Sequence, residues 1–190
     1  MKRFDLSDQI MIARLEAYSE YIPETENTFF VDADSIFISE LKFPKNSTKK
    51  IFLSLRKNDF KLNDSYPEYY EEFVNKTAIE AMPFLFGAIA VIGNQQKFFK
   101  EILSIARNLP KRFHRWYGDQ YALKKYIDKG FEEFERLNID IYLNIIREPL
   151  MPSYLKEALE KKVQLITFKG PQSKMYLSQA LVLLNIFHKN

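Results

Sequence analysis

The sequence predicts an α/β fold. Amphipathic helical stretches alternate with short apolar strands along the whole chain. Turn formers punctuate the boundaries, with Pro23, Pro110 and Gly130 at the ends of helical patterns. At 190 residues, 46% hydrophobic and 15% aromatic, the chain has enough apolar surface for a sizeable core and fits one domain. It shows no repeat, low-complexity segment or long linker.

The elements follow in order. LSDQIMIARLEAYSEYI (6–22) sets Leu6, Ile10, Ala13, Leu15, Tyr18 and Ile22 at largely three- and four-residue spacings, a helix with Ser7 as N-cap and Pro23 as its stop. NTFFVDAD (27–34) is a short buried strand of aromatic and β-branched residues. KKIFLSLR (49–56) repeats Ile51, Leu53 and Leu55 at every second position, a second strand. KNDFKLNDSYPEYYEEF (57–73) is polar and aromatic, a loop leading to a short helix. PFLFGAIAVIG (83–93) is apolar with Gly87 in its middle, a strand or a bent pair of strands, and Gly93 marks a turn. NQQKFFKEILSIARNL (94–109) is an amphipathic helix closed by Pro110, and a further helix runs from near Asp119 to Gly130, its C-cap. IDIYLNII (139–146) is a strand, PSYLKEALEKK (152–162) a helix opened by Pro152, VQLITF (163–168) a strand, and MYLSQALVLLNIF (175–187) the last helix.

Composition narrows the chemistry. Twenty-eight basic residues against 25 acidic ones leave a net charge of +3, too mild to argue for nucleic acid. With no cysteine and two histidines, His114 and His188, disulfides and thiolate sites are excluded and a His-rich zinc site is disfavoured. Any metal is then a hard cation on oxygen ligands. The basic start MKRFDLSDQ is broken by Asp5 and Asp8 and has no apolar continuation. The longest uncharged apolar stretch, Ala81 to Gly93, is shorter than the roughly 20 residues of a membrane span. The expectation is a cytoplasmic protein, with peripheral attachment at the inner membrane face left open.

Four places can carry chemistry. Asp32 and Asp34 flank Ala33 between two apolar runs. On a strand, residues i and i+2 share a side, so the two carboxylates can converge on Mg²⁺ or Mn²⁺, which take one or two carboxylates and complete their shell with water and phosphate. The alternative is an acidic turn. Gly87 interrupts an apolar strand, where glycine often marks the approach of a ligand. Asp119 either caps its helix or reaches with Gln120 toward sugar hydroxyls. KRFHRW (111–116) is basic and aromatic. A solvated loop is its expected identity, and contact with an anionic acceptor is the alternative. His114 and His188 read as a surface and a terminal histidine.

Taken in order, these features resemble nucleotide-sugar-dependent glycosyltransferases of the GT-A type. The matching features are Arg14 in MIARLEAY, Asp32-Ala33-Asp34, Gly87-Ala88, Gly118-Asp119-Gln120 with Ala122-Leu123, and Phe168-Lys169-Gly170 with Lys174. The resemblance implies a GT-A, Rossmann-like fold with a mixed sheet and flanking helices. It implies that Asp32 and Asp34 bind Mn²⁺ or Mg²⁺, and that Arg14, Ala33, Gly87, Ala88, Gly170 and Lys174 bind the donor, a nucleotide sugar such as a UDP-hexose. It makes Asp119 and Gln120 the catalytic pair facing the sugar and a glycan or lipid-linked acceptor. Where many relatives carry a histidine as third metal ligand, this chain has Thr167. Because 31 residues precede Asp32, the resemblance also implies the C-terminal portion of such a fold. It would lack the N-terminal nucleotide-binding half and pair with a complementing segment or another copy. A non-catalytic remnant that binds a partner is the alternative function. A phosphohydrolase is disfavoured by SIFIS after Asp34.

Overall fold

The computed structural model describes residues 9–23, 27–40, 47–56, 59, 61–62, 71–137, 141–144, 152–168 and 176–187. The elements are α1 (Ile10–Glu20), β1 (Asn27–Val31), β2 (Ser35–Phe37), β3 (Ile51–Leu55), α2 (Ala78–Ala81), β4 (Phe84–Ile92), α3 (Gln96–Arg107), α4 (Lys111–Arg115), α5 (Gly118–Asp128), β5 (Glu135–Arg136), β6 (Ile141–Asn144), α6 (Pro152–Glu160), β7 (Leu165–Phe168) and α7 (Leu177–Phe187). A 3₁₀ turn spans Glu71–Phe73. The expected α/β class holds. The chain divides into two units, Met1–Phe30 with Lys45–Leu137, and Val31–Pro44 with Asn138–Asn190.

The first unit is built on a sheet of order β1-β4-β3-β5, with β3 antiparallel to β4 and parallel to β5. One face of β3 carries Ile51 and Leu53 into a core with Ile12 and Leu15 of α1, Phe98, Phe99 and Ile102 of α3, and Leu123 of α5. The stripe on α3 at positions 98, 99, 102, 103 and 106 is the helical spacing that buries one face. Each fully buried large side chain contributes about 1.5–3 kcal/mol, against under ~1 kcal/mol for an exposed pair such as Lys124–Asp128. The apolar core therefore outweighs the surface charges. A smaller cluster gathers Leu62, Phe73, Ala78, Ala81, Met82 and Phe113.

β4 resolves the alternatives for PFLFGAIAVIG. It is a single nine-residue strand, but its register against β3 jumps: Leu53 pairs with Ile89 and Ser54 with Leu85. Phe86, Gly87 and Ala88 are the extra residues. The bulge reverses the alternation: Phe84 and Phe86, the latter its first residue, enter the core on one side, and Ile89 and Val91 on the other.

The second unit has a sheet of order β2-β7-β6, with β2 antiparallel and β6 parallel to β7. Ile166 and Phe168 of β7 pack with Ile38, with Leu155 and Ala158 of α6, and with Ala180 and Leu184 of α7. Pro152 occupies the first position of α6, where a missing N–H costs nothing.

Several local expectations are corrected. Helix α1 starts at Ile10 with Gln9 in the N-cap position, and Ser7 lies outside the described residues. The loop expected at KRFHRW is helix α4, because Phe113 is fully buried and pulls the segment onto the small cluster. Helix α2 went unread, although Thr77 and Glu80 form a reciprocal capping box, a signature visible as T-x-x-E. Among the described residues, no helix is long and apolar enough to cross a membrane.

Candidate functional site

In the second unit, Asp32-Ala33-Asp34 forms the turn between β1 and β2. The strand geometry assumed for the two aspartates is corrected: strand alternation ends at Val31, so the turn sets where each carboxylate points. The backbone carbonyl of Asp34 accepts from Phe168 N at 2.8 Å. Ser35 pairs with Thr167 across the β2–β7 ladder. This register brings the Thr167 hydroxyl to Asp34, where Oγ1 donates to Oδ1 over 3.4 Å, a long contact. Thr167 is buried, whereas Asp32 and Asp34 are partly exposed and Ala33 is exposed. Two partly exposed carboxylates, with Asp32 Oδ1 buried, and a neighbouring hydroxyl are a hard, all-oxygen donor set, which fits Mg²⁺ or Mn²⁺ completed by water and phosphate. Among the described residues, no three His, Cys, Asp or Glu side chains gather into a metal-ligand group.

In the first unit, Arg14 on α1 meets Asp119 on α5. Nη1 donates to Asp119 Oδ2 at 2.8 Å. The other oxygen, Oδ1, accepts from the Gln120 amide at 2.7 Å. Asp119 is fully buried while Arg14 keeps a quarter of its side chain exposed. Asp119 is in the first turn of α5, not at its cap. The cap position is Tyr117, held in the left-handed region at φ 63°. Gln120 points its carbonyl oxygen at Arg56, which donates from Nη2 at 2.5 Å and from Nε to the Met82 carbonyl at 3.0 Å. Burial lowers the pKa of Arg56 below arginine's ordinary value, and the charges of Tyr117 and Asp59 oppose the shift.

The structure thus brings Arg14, Asp119 and Gln120 together, and separately holds Asp32, Ala33 and Asp34 in one turn. Gly87 and Ala88 lie in the β4 bulge, with Gly87 partly exposed and Ala88 buried. Bulges recur beside active sites because they re-aim the chain. Gly170, Lys174 and His188 lie outside the described residues. His114 is partly buried on α4. Arg56 went unread as a site residue. Its signal was slight, a single arginine closing an apolar strand, and its link to Gln120 crosses 64 positions.

No family model matches the chain, and no curated protein matches it. Among solved structures it is similar to a glycosyltransferase involved in the glycosylation of the major capsid of PBCV-1. The superposition covers 94% of this chain and 80% of that chain, with a TM-score of 0.58 and 10% sequence identity. At that identity the likeness is one of fold: a mixed α/β architecture shared with a glycosyltransferase.

Proposed function

We propose that this chain is a metal-dependent glycosyltransferase of the GT-A type that moves a hexose from a nucleotide diphosphate sugar, such as a UDP-hexose, to a glycan or lipid-linked acceptor. The observation that carries the reading is the fold shared with a glycosyltransferase over 94% of the chain. The Asp32-Ala33-Asp34 turn, pinned to β7 through the Asp34 carbonyl, supplies the donor set the reading requires. Asp32 and Asp34 would hold Mn²⁺ or Mg²⁺, which when bound offsets the charge that develops on the diphosphate leaving group. Ala33, exposed at the turn, leaves room for the donor. Gly87 and Ala88 shape the sugar pocket, and Gly170 and Lys174 meet the diphosphate, with Lys174 adding positive charge as it departs. Arg14 contacts the donor. Asp119, buried beneath Arg14 with both oxygens engaged, positions that guanidinium. Gln120, positioned in turn by Arg56, faces the sugar.

The test is calorimetry of UDP with and without Mn²⁺. The expected result is binding that depends on Mn²⁺ and is lost in Asp34→Ala. Absence of UDP binding under both conditions would overturn the reading. A second reading, a glycosyltransferase-like remnant or subunit that binds a partner without catalysis, draws on the full burial of Asp119, which leaves that carboxylate poorly placed to act as a base. Slow release of hexose from the sugar nucleotide separates the two, since an idle site binds UDP but hydrolyses nothing.

A further inference from the structure

The chain has one tryptophan, Trp116, and it is 53% exposed. Phe52, Phe73, Phe86, Phe99, Phe113 and Phe168 are all fully buried, so the largest ring in the protein is spent on the surface. An exposed large apolar side chain is most informative when the backbone holds it there. Phe113, three residues earlier, is buried edge-to-face on Phe73 and stacked on Tyr121. Trp116 itself is extended, at φ −140° and ψ 143°. Tyr117 is left-handed, and Gly118 lies so close under Phe113 that a Cβ there would be 2.1 Å from the Phe113 carbonyl oxygen. The corner between α4 and α5 is thus pinned on both sides of Trp116.

Within residues 111–118 the charged side chains are all basic. Lys111 and Arg115 are both exposed and stand four residues apart on α4, one turn above the other. Like charges at that spacing repel each other in an isolated helix. Arg112 between them is paired with Glu72. The stretch from Lys111 to Gly118 contains no acidic residue. Asp119 follows immediately, but it is buried against Arg14.

We infer that the α4–α5 corner binds an anionic saccharide, with the Trp116 ring stacked on a sugar face and Lys111 and Arg115 holding its carboxylate or phosphate. An exposed indole offers a flat apolar face with a polar edge, which suits a sugar ring. The arginine fork reads a carboxylate or a phosphate equally. A nucleic acid is the poorer fit, since it wants a run of stacking rings on a strongly basic groove and the whole chain carries only +3. Trp116 precedes Asp119 and Gln120 by three and four residues. The saccharide is therefore the acceptor, and that word rests on the transferase reading above, whereas the surface itself does not.

The single tryptophan makes the test direct. Emission of Trp116 is followed while the full chain, without nucleotide or metal, is titrated with tetragalacturonate, with maltotetraose carrying a terminal phosphate, with plain maltotetraose and with inorganic phosphate. The expected result is a saturable change with one or both anionic saccharides, an affinity about tenfold weaker for plain maltotetraose, and no change with inorganic phosphate. Which anionic saccharide acts separates carboxylate from phosphate recognition. Lys111→Ala with Arg115→Ala, two exposed positions whose loss leaves the core intact, should weaken the affinity by about tenfold or more. Calorimetry of Trp116→Phe should show a loss as well. No saturable change with either anionic saccharide, an equal response to inorganic phosphate, or full affinity in the double variant overturns the proposal. Saccharide binding without UDP binding would leave this surface standing and remove the transferase reading. UDP binding without saccharide binding would do the reverse.

Discussion

A Cβ added at Gly118 meets the Phe113 carbonyl oxygen at 2.1 Å, and neither backbone can yield without moving α4 against α5. Gly118→Ala is therefore expected to lose about 2–3 kcal/mol in urea unfolding, at the upper end of overpacking costs. Gly93 is the control: nothing lies within 4 Å of a Cβ there, and only its φ of 65° resists alanine, a cost of about 1–2 kcal/mol. Equal losses at the two sites would mean that the contact with Phe113 is not what fixes Gly118. The Arg14–Asp119 pair makes a second prediction. Arg14→Met leaves a fully buried carboxylate without its cation and should cost about 3 kcal/mol, while Arg14→Met with Asp119→Leu should recover most of it. A double variant as unstable as the single one would show that packing, not charge, holds α1 to α5. Both residues stood out in the sequence as separate motifs. Their bond spans 105 positions, and no local pattern encodes a contact of that range.

Among the elements, α4 depends on a partner for its place. Arg112 is paired with Glu72 of the 3₁₀ turn. Burial pushes the Glu72 carboxyl up, but the hydrogen bond from Arg112, its own backbone amide and the charges of Arg112 and Lys125 together hold it below its ordinary value of 4.5. A depressed carboxyl stabilises the fold above its unfolded pKa, and that contribution fades as pH falls through the folded one. Glu72→Gln should therefore lose up to about 1 kcal/mol at pH 7, a modest figure because both side chains are partly solvated. The difference from the parent protein should shrink below pH 4.5. Urea melts at neutral and acid pH measure it, and a gap that persists unchanged in acid would rule out the ionised carboxylate as its source. The helices and longer strands were legible because their apolar spacing repeats over several turns or pairs. The β4 bulge was half legible: Gly87 marked the place, but the reversal from Phe84 and Phe86 to Ile89 and Val91 depends on pairing with β3. Helix α4 was hidden because five residues rich in charge look solvated, and Phe113 is buried by side chains outside the helix, Phe73 and Tyr121 among them.

Across the molecule, each of the two units has its own sheet and its own core. The chain passes from the first to the second between Phe30 and Val31, and Asp32, Ala33 and Asp34 follow at once. β2 and β5, of three and two residues, are too short for a period to emerge, so the sorting of strands into two sheets could not be read from spacing. The resemblance puts a third metal ligand at Thr167, and the β2–β7 register sets Thr167 beside Asp34. If Asp34 holds a cation, a histidine at 167 should reach the same ion. Thr167→His is expected to tighten Mn²⁺ binding by about tenfold, or about 1.4 kcal/mol. The gain for Mg²⁺ should be smaller, since imidazole is a poorer partner for the harder ion. Binding is read from the loss of the free Mn²⁺ resonance signal on titration, and circular dichroism shows whether the larger ring is accepted at this buried position. Thr167→Asp gives a smaller oxygen ligand if it is not. Adding Asp34→Ala should erase the gain in either background. A folded variant that binds Mn²⁺ no better than the parent chain would count against the proposed cation site at Asp34.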